Sequence, residues 1–586
     1  MAAVLTPRAL EGLGTVAEPR WSPDGHRLAW VRGTPQGRAF VVDGVAVPDV
    51  VPVGTRGAAF CWLDAERLLV VGEDGLRAVR ADGAGPGALR APAAGRAAAP
   101  AVGAGLLAYV DDTSEACRIV VAPVDGSREP RPVSTADWAW DPAWSPDGRM
   151  LAWHEWDEPG MPWDGSRVVI ADLGAGETRV VAGGPDVAVG QPRFSPDGRH
   201  LAYVSDRDGW SNVTVARTDG RDAVVRREPH EHAEPSWGPG QRSFAWSPDG
   251  TRIAWCRNED GFARLVAGAQ EWGRGWHHGL DWGPGGLAAV RSGARTPPSV
   301  VVVADGSTPP TRKVREVAVG VDELPVEGFV EPRPVSWTAD DGVTVPGLVF
   351  SPPAAADPPP LLVHLHGGPT DQTRVEWAPR LQLWVARGWA VLAPNPRGST
   401  GYGRAFARAL HGGWGDRDVD DVLAGIRAAG ERGWGDPDRV ALVGGSAGGF
   451  TALLAAARAP DRVRAVVASY PVTDLRALAA TTWRFERHSN DTLVGPLPAA
   501  ADTWRDRSPL THAAMLRVPV LVLQGDADPV VPLAQSRAFV DAVAAAGGDA
   551  TLHVYDGEGH GWTRPATVAD ALARTDEFLT RRVRRP

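Results

Sequence analysis

A chain of 586 residues is longer than one hydrophobic core usually serves, so its length predicts two or more domains. Hydrophobic residues make up 43% and charged residues 23%, as in globular proteins, and no stretch approaches the roughly 20 apolar residues of a membrane span. The formal net charge of -10 argues against a nucleic-acid partner, because phosphate binding needs a dense cationic face. We therefore expect a soluble protein.

The first ten residues contain no basic segment followed by an apolar one, so we predict no secretory signal and expect a cytoplasmic location. The three cysteines, Cys61, Cys117 and Cys256, are widely spaced and odd in number. That pattern favours reduced thiols in the core over a disulfide framework or a metal site. Neither a metal nor an organic cofactor is predicted.

The first half of the chain is repetitive. The tetrad Ser-Pro-Asp-Gly follows Trp or Phe and precedes an alternating apolar run four times, starting at Ser22, Ser145, Ser195 and Ser247. This pattern indicates strand, turn and strand, because Pro presets the turn, Asp bonds its own backbone and Gly supplies a positive φ. Eroded copies begin at Trp62, Val102 and Trp282. A spacing of about 40 to 50 residues is that of a four-stranded blade. The repeats predict a seven-bladed β-propeller of the TolB or WD40 type, in a domain assigned to residues 1–325.

From residue 326 to residue 586 the pattern changes to strands that alternate with helical stretches. The predicted strands are 361–366, 390–394, 440–445, 464–469, 518–524 and 551–555. This alternation is typical of a mostly parallel sheet with helices on both faces. We therefore predict a second domain of the α/β-hydrolase type.

The strand at 361–366 ends in a His-Gly-Gly turn, whose backbone N–H groups are able to face an oxyanion. We predict the N–H groups of Gly368 and Ala447 as the two donors of an oxyanion hole. Each such donor is worth roughly 3 kcal/mol in the transition state. His366, in the same turn, is expected to form local hydrogen bonds and not to act as a base.

The strand at 440–445 runs into Gly-Ser-Ala-Gly-Gly and then into an alanine-rich helix. Small residues on both sides of Ser446 are typical of a nucleophile elbow, where the turn between strand and helix is too tight for larger side chains. Ser446 is therefore the predicted nucleophile.

The last two predicted strands are followed by loops that carry an acid and a base. His560 lies between glycines after the final strand, and Asp528 follows the strand before it, with Asp526 and Asp556 as alternative acids. The order Ser446, Asp528, His560 is that of α/β-hydrolase triads and differs from that of the two other common serine protease folds.

The chain resembles the prolyl oligopeptidase family of serine peptidases over nearly its whole length. The resemblance rests on the propeller tetrads and on the segments at 366–369, 395–403, 444–449, 525–532 and 558–561. It implies the same triad, an acyl-enzyme, and a propeller that restricts access to short peptides or acylated peptides. The acylaminoacyl-peptidase and bacterial dipeptidyl-aminopeptidase branch fits best, and a homo-oligomer is left open.

The resemblance also raises the question of what binds a substrate amine, because this chain lacks the adjacent pair of glutamates that membrane dipeptidyl peptidases use. The candidate contacts are Glu155, Glu158, Glu231, Glu234 and Glu486. Exopeptidase and endopeptidase cleavage both stay open. The alternatives are an esterase or small-molecule amidase on the same scaffold, and a non-catalytic propeller that binds a partner.

Overall fold

The computed structural model describes residues 5–48, 51–52, 59–73, 75–83, 86–91, 93–219, 221, 224–305, 311–353 and 358–584. The chain divides into two compact units. One spans Gly14–Val319, and the other combines Met1–Leu13 with Gly320–Pro586. The assignment of residues 1–325 and 326–586 to independent domains stays a prediction.

The unit Gly14–Val319 is a β-propeller built of short strands that pair mainly with their neighbours in sequence. In the described part of this unit, five sheets have four strands and one sheet has eight. The strands are β1 (Thr15–Trp21), β2 (Leu28–Thr34), β3 (Gly37–Val42), β4 (Val45–Ala46), β5 (Phe60–Trp62), β6 (Arg67–Gly72), β7 (Gly75–Arg80), β8 (Pro86–Ala91), β9 (Arg96–Gly103), β10 (Leu106–Asp112), β11 (Cys117–Pro123), β12 (Arg131–Pro132), β13 (Trp138–Trp144), β14 (Met150–Trp156), β15 (Ser166–Asp172), β16 (Glu177–Gly184), β17 (Val189–Phe194), β18 (His200–Ser205), β19 (Asn212–Arg217), β20 (Val224–Val225), β21 (Phe244–Trp246), β22 (Ile253–Glu259), β23 (Phe262–Ala267), β24 (Gln270–Arg274), β25 (Trp276–Gly283), β26 (Gly286–Gly293), β27 (Thr296–Val303) and β28 (Arg312–Val317).

The eight-stranded sheet contains β9–β12 and β13–β16. These two sets of strands meet through β11 and β13, where Cys117 is paired in parallel with Trp138. The other pairings within this sheet are antiparallel. Each half therefore repeats the antiparallel meander of the four-stranded sheets.

The Ser-Pro-Asp-Gly tetrads form the turns between β1 and β2, between β13 and β14, between β17 and β18, and between β21 and β22. In the first copy, Ser22 Oγ donates to Asp24 Oδ1 at 2.5 Å, and Gly25 N–H donates to Ser22 O at 2.8 Å. Gly25 has a φ of 72°, which a side chain would disfavour. The hydrogen bond from Ser22 is the main cause that holds the pKa of Asp24 below its usual value. The tetrads thus serve as structural turns of the propeller.

All three cysteines are free, and Cys117 and Cys256 are buried. Burial raises the pKa of the third thiol, Cys61, to about 12. A raised pKa disfavours the thiolate, which is the reactive form of cysteine.

The described part of the second unit contains one eight-stranded sheet in the order β29-β30-β32-β31-β33-β34-β35-β36. Its strands are β29 (Arg333–Thr338), β30 (Thr344–Phe350), β31 (Pro360–Leu365), β32 (Ala390–Pro394), β33 (Asp436–Gly445), β34 (Ala465–Ser469), β35 (Val520–Gly525) and β36 (Ala550–Tyr555). The sheet is antiparallel from β29 to β32 and parallel from β32 to β36. Each of the six strands predicted in this unit is present.

Helices lie between the parallel strands in sequence, and one more helix follows the last strand. They are α1 (Pro379–Ala386), α2 (Arg404–Arg408), α3 (Arg417–Glu431), α4 (Ala447–Arg458), α5 (Leu475–Thr481), α6 (Ser489–Leu493), α7 (Ala501–Asp506), α8 (Leu533–Ala545) and α9 (Pro565–Leu579). Short 3-10 helices occupy Arg8–Leu10, Val321–Glu323, Val326–Gly328, Arg484–Glu486 and Pro509–Met515, and a π-helical turn occupies Thr580–Arg584.

The helices α3 and α4 cover the sheet next to its central strand. In α3, Val419, Val422 and Ile426 lie on one buried face, while α4 is buried along nearly its whole length. These side chains belong to one hydrophobic core with the sheet. The tight packing at α4 holds the end of β33 in place, and with it the turn between this strand and α4.

No helix in the described part of the chain is both long and apolar enough to span a membrane.

Candidate active site

Ser446 lies between β33 and α4, with φ 55° and ψ -123°. Such a conformation is strained for a residue with a side chain. The glycines around it are required by space, because a Cβ on Gly444 would lie 2.4 Å from the carbonyl oxygen of Gly448, and one on Gly448 would lie 2.3 Å from that of Leu365. The turn therefore has the geometry of a nucleophile elbow.

His560 and Asp528 are brought together by the loops after β36 and β35. The distance between His560 Nδ1 and Asp528 Oδ2 is 2.8 Å. Because a carboxylate only accepts hydrogen bonds, Nδ1 carries the proton and Nε2 keeps a free electron pair. This is the tautomer that a general base needs.

The carboxyl group of Asp528 is held by further donors. Its Oδ1 accepts the N–H groups of Val530 and Val531 at 2.8 and 2.9 Å, and its Oδ2 accepts Gln524 Nε2 at 3.1 Å. The side chain is fully buried. These bonds leave the acid one orientation, with Oδ2 facing His560.

The two alternative acids, Asp526 and Asp556, both lie at the surface. Asp526 accepts the N–H of Gly557 at 2.6 Å and is exposed to solvent, and Asp556 is exposed too. Sequence reasoning missed Glu558, whose buried carboxylate accepts the N–H groups of Thr563 and Arg564 at 2.9 and 3.1 Å. Glu558 thus fixes the loop that carries His560.

The predicted oxyanion donors belong to two segments that lie next to Ser446. Ala447 is the first residue of α4, and the N–H groups of a first helical turn have no partner within the helix. A Cβ on Gly367 would lie 3.6 Å from Ser446 Cβ, so the His-Gly-Gly turn approaches the serine directly, with Gly368 next in the chain. The assignment of Gly368 and Ala447 as donors stays a prediction.

His366 is engaged by its own surroundings. Its Nε2 is 2.9 Å from Ser399 Oγ, and its Nδ1 is 2.7 Å from the carbonyl oxygen of Gly367. Burial lowers the pKa of His366, which favours the neutral ring. His366 therefore has the local bonding that the sequence analysis expected.

The segment that carries Ser399 also binds helix α3. The guanidinium of Arg397 contacts Asp421 at 2.7 Å and also pairs with Asp341. Asp421 is fully buried and Arg397 nearly so. In the same segment, the side chain of Asn395 accepts the N–H of Thr373 at 2.7 Å. This segment thus ties the turn that contains Gly368 to the helical layer.

We expect Arg397→Met to lower the free energy of unfolding by about 3 to 5 kcal/mol, because it leaves the buried carboxylate of Asp421 without its cation. Urea unfolding measures the change. The control is Arg505→Met, which breaks an exposed pair with Asp502 and should change the free energy by less than about 1 kcal/mol. Equal effects of the two substitutions would contradict the structural role of Arg397.

Asp418, in the first turn of α3, supports the start of α4. Its Oδ2 accepts Thr451 Oγ1 at 2.7 Å, and its Oδ1 accepts the N–H of Gly415 at 2.7 Å. Thr451 Oγ1 also lies 3.1 Å from the carbonyl oxygen of Ala447. Burial raises the pKa of Asp418 from 3.8 to about 6, which favours the protonated acid in the folded state.

A raised pKa makes stability fall as the pH rises from the unfolded to the folded value. For Asp418 this window runs from pH 3.8 to about 6 and amounts to roughly 3 kcal/mol. We expect Asp418→Asn, which resembles the protonated acid, to gain stability over the wild type by that amount between pH 4 and pH 7. Urea unfolding across this range measures the difference. With Asp420→Asn, on the exposed face of the same helix, the difference should stay nearly constant, and a constant difference for Asp418→Asn would refute the prediction.

The candidate amine contacts have local contacts of their own and stay predictions. In the propeller, Glu155 accepts Trp153 Nε1 at 2.7 Å, Glu158 accepts Trp138 Nε1 at 3.2 Å, Glu231 accepts the N–H of Ser211 at 2.7 Å, and Glu234 lies 3.8 Å from His278. Glu486 ends the 3-10 helix Arg484–Glu486 of the second unit.

Among the described residues, no group of three or more His, Cys, Asp or Glu side chains is arranged to hold a metal ion.

Residues 376–585 match the prolyl oligopeptidase family, and residues 104–261 match the TolB β-propeller domain. The crystal structure of puromycin hydrolase aligns with 30% sequence identity and a TM-score of 0.88, and the alignment covers 99% of this chain and 97% of that one. The chain belongs to the prolyl oligopeptidase family. This confirms the family inferred from the motifs, and with it a β-propeller followed by an α/β-hydrolase domain.

Two curated relatives match this member of the prolyl oligopeptidase family over shorter stretches. Dipeptidyl aminopeptidase BIII of Pseudoxanthomonas mexicana is 33% identical over 259 residues, which are 42% of this chain and 38% of that protein. The acylamino-acid-releasing enzyme of Arabidopsis thaliana is 32% identical over 215 residues, which are 36% of this chain and 28% of that protein. The matched part thus spans less than half of either relative.

Proposed function

We propose that this protein is a serine peptidase that hydrolyses short peptides, with Ser446 as nucleophile, His560 as base and Asp528 as the orienting acid. The observation that carries the proposal is the 2.8 Å contact between His560 and Asp528, in a unit whose elbow presents Ser446. Membership of a peptidase family and the peptidase names of its relatives support it.

In the proposed reaction, Ser446 Oγ attacks the carbonyl carbon of the scissile amide while His560 Nε2 takes its proton. The N–H groups of Gly368 and Ala447 stabilise the oxyanion of the tetrahedral intermediate. His560 then gives the proton to the leaving amine, and an acyl-enzyme remains on Ser446. Water, activated by the same histidine, hydrolyses the acyl-enzyme, and Asp528 stabilises the imidazolium throughout without taking the proton.

The substrate class we favour is a short peptide with a free or acylated amino terminus. The relatives named dipeptidyl aminopeptidase and acylamino-acid-releasing enzyme support this choice. A second candidate is a small-molecule amidase, since the structure named puromycin hydrolase aligns over nearly the whole chain. Triad chemistry alone does not separate the two, because both reactions transfer an acyl group.

We further propose that the propeller has seven blades, with β9–β12 and β13–β16 as two blades that share one sheet. The single parallel pair between Cys117 and Trp138 supports this division, because it is the only pairing between the two sets among the described residues. Size selection of peptides by the propeller, implied by the family resemblance, stays a prediction.

The test is a peptide library of two to thirty residues, with free and acetylated amino termini, incubated with the wild type and analysed by mass spectrometry. Puromycin, a matched p-nitroanilide and a matched p-nitrophenyl ester are assayed in parallel. We expect cleavage of short peptides and release of p-nitroaniline. If puromycin is cleaved and no peptide in the library is, the result would favour the amidase. Activity confined to the ester would overturn the peptidase assignment.

A further inference from the structure

Tyr470 lies directly after β34, beside the strand that ends at the elbow. Its backbone has a φ of 38°, in the left-handed region that bulky residues rarely adopt. The N–H of Tyr470 donates to the carbonyl oxygen of Leu523 at 2.7 Å, and the N–H of Ser446 donates to that of Ser469 at 3.0 Å. The main chain thus holds this residue beside the predicted nucleophile, and strain of this kind is concentrated at functional sites.

The ring of Tyr470 lies against the residue before Ser446. A Cβ built on Gly445 would be 3.0 Å from Cε2, 3.1 Å from Oη and 3.2 Å from Cζ of Tyr470. A side chain at position 445 would therefore push the ring away. This contact explains why position 445 is a glycine, which the elbow motif alone does not require.

The same ring also packs on His560. The ring centroids are 4.7 Å apart and the planes cross at 61°, an edge-to-face arrangement. Trp562 also packs edge to face on Tyr470, with ring centroids 5.1 Å apart. One side chain thus touches the backbone before the nucleophile and the ring of the base at once.

We propose that Tyr470 is a positioning residue that sets the distance between His560 and Ser446. The proposal rests on the proposed function and adds a residue to it. The bond to Asp528 holds one nitrogen of the imidazole but leaves the ring free to swing about that contact. A rigid ring between the elbow and His560 limits this swing, so that Nε2 stays within reach of Oγ.

The aromatic ring is the part of Tyr470 that spans both neighbours. Its Cε2 and Cζ atoms, together with Oη, lie against Gly445, and the ring packs on His560. Burial raises the pKa of Tyr470, so the phenol stays neutral over the range in which an ordinary histidine titrates. Tyr470→Phe should therefore keep the effect, whereas Tyr470→Leu should lose it.

The experiment measures kcat and KM on the best substrate of the wild type, and the rate at which a fluorophosphonate labels Ser446. For Tyr470→Leu we expect kcat and the labelling rate to fall by about tenfold to a hundredfold, with KM within about twofold of the wild type. For Tyr470→Phe both rates should stay within about threefold. The matched control is Tyr555→Leu, which removes a ring that contacts Trp562 and His553 and should leave the labelling rate unchanged.

Wild-type rates in Tyr470→Leu, a change confined to KM, or an equal loss in Tyr470→Phe would each overturn the positioning role while the proposed function stands. A wild type that is neither labelled nor active would instead overturn the proposed function, and this inference with it. Thermal unfolding checks that each variant is folded. If Tyr470→Leu does not fold, Tyr470→Met takes its place under the same criteria.

Discussion

Ser446→Ala is expected to lower kcat by about 10⁶-fold, because the acyl-enzyme has no other group on which to form. The structure supports an effect of this size, since the strained turn presents this one hydroxyl beside the His-Gly-Gly turn. The measurement is the rate of hydrolysis of the best substrate of the wild type, together with labelling by a fluorophosphonate. The variant should fold normally and take up no label.

The control for this prediction is Ser336→Ala, which replaces an exposed serine on β29. We expect its kcat and its labelling to match those of the wild type. Retention of more than about a hundredth of the activity in Ser446→Ala would contradict the role of nucleophile, since contamination or background water attack gives far less.

Asp528→Asn is expected to lower kcat by about 10⁴-fold with little change in KM. An amide donates where the carboxylate accepts, so His560 would have to present its other tautomer and lose the free electron pair at Nε2. Oδ1 of Asp528 accepts two backbone N–H groups, whereas Oδ2 accepts only Gln524 besides His560, so an amide with its NH₂ at the Oδ2 position is the less disruptive orientation and faces His560. Steady-state kinetics on the wild-type substrate measure the effect.

Asp526→Asn is the matched control, because it makes the same chemical change two residues away on the same loop. Asp526 bonds the N–H of Gly557, so its substitution should shift thermal stability slightly and leave kcat within about threefold. A larger loss of kcat in Asp526→Asn than in Asp528→Asn would reverse the assignment of the acid.

The local patterns of this protein were predictable from the sequence. The Ser-Pro-Asp-Gly tetrads specify turns, and the alternation of strands and helices after residue 326 specifies a parallel sheet. The glycines around Ser446 specify a tight turn, because a Cβ on Gly444 would meet the carbonyl oxygen of Gly448, four residues further along the chain. Turns and periodicity are properties of neighbours in sequence, which is why they led to the fold of each half and to candidates for the site, while the family came from the resemblance of the motifs.

Contacts between distant segments were decided only by the tertiary structure. Asp526 and Asp528 are equivalent in spacing, and the register of β35 against β36 determines that Asp528 faces His560. The pairing of Arg397 with Asp421 likewise depends on how a loop meets a helix.

Tyr470 is the clearest case of what tertiary structure adds. In the sequence it is one aromatic residue after a predicted strand, with nothing in its spacing to mark it. Its place between Gly445 and His560 results from three parallel strands ending at the same edge of the sheet. The sequence by itself therefore determined which chemical groups are present and in what order, while the packing of strand ends decided which of them touch, because those distances depend on the whole sheet and not on neighbours in the chain.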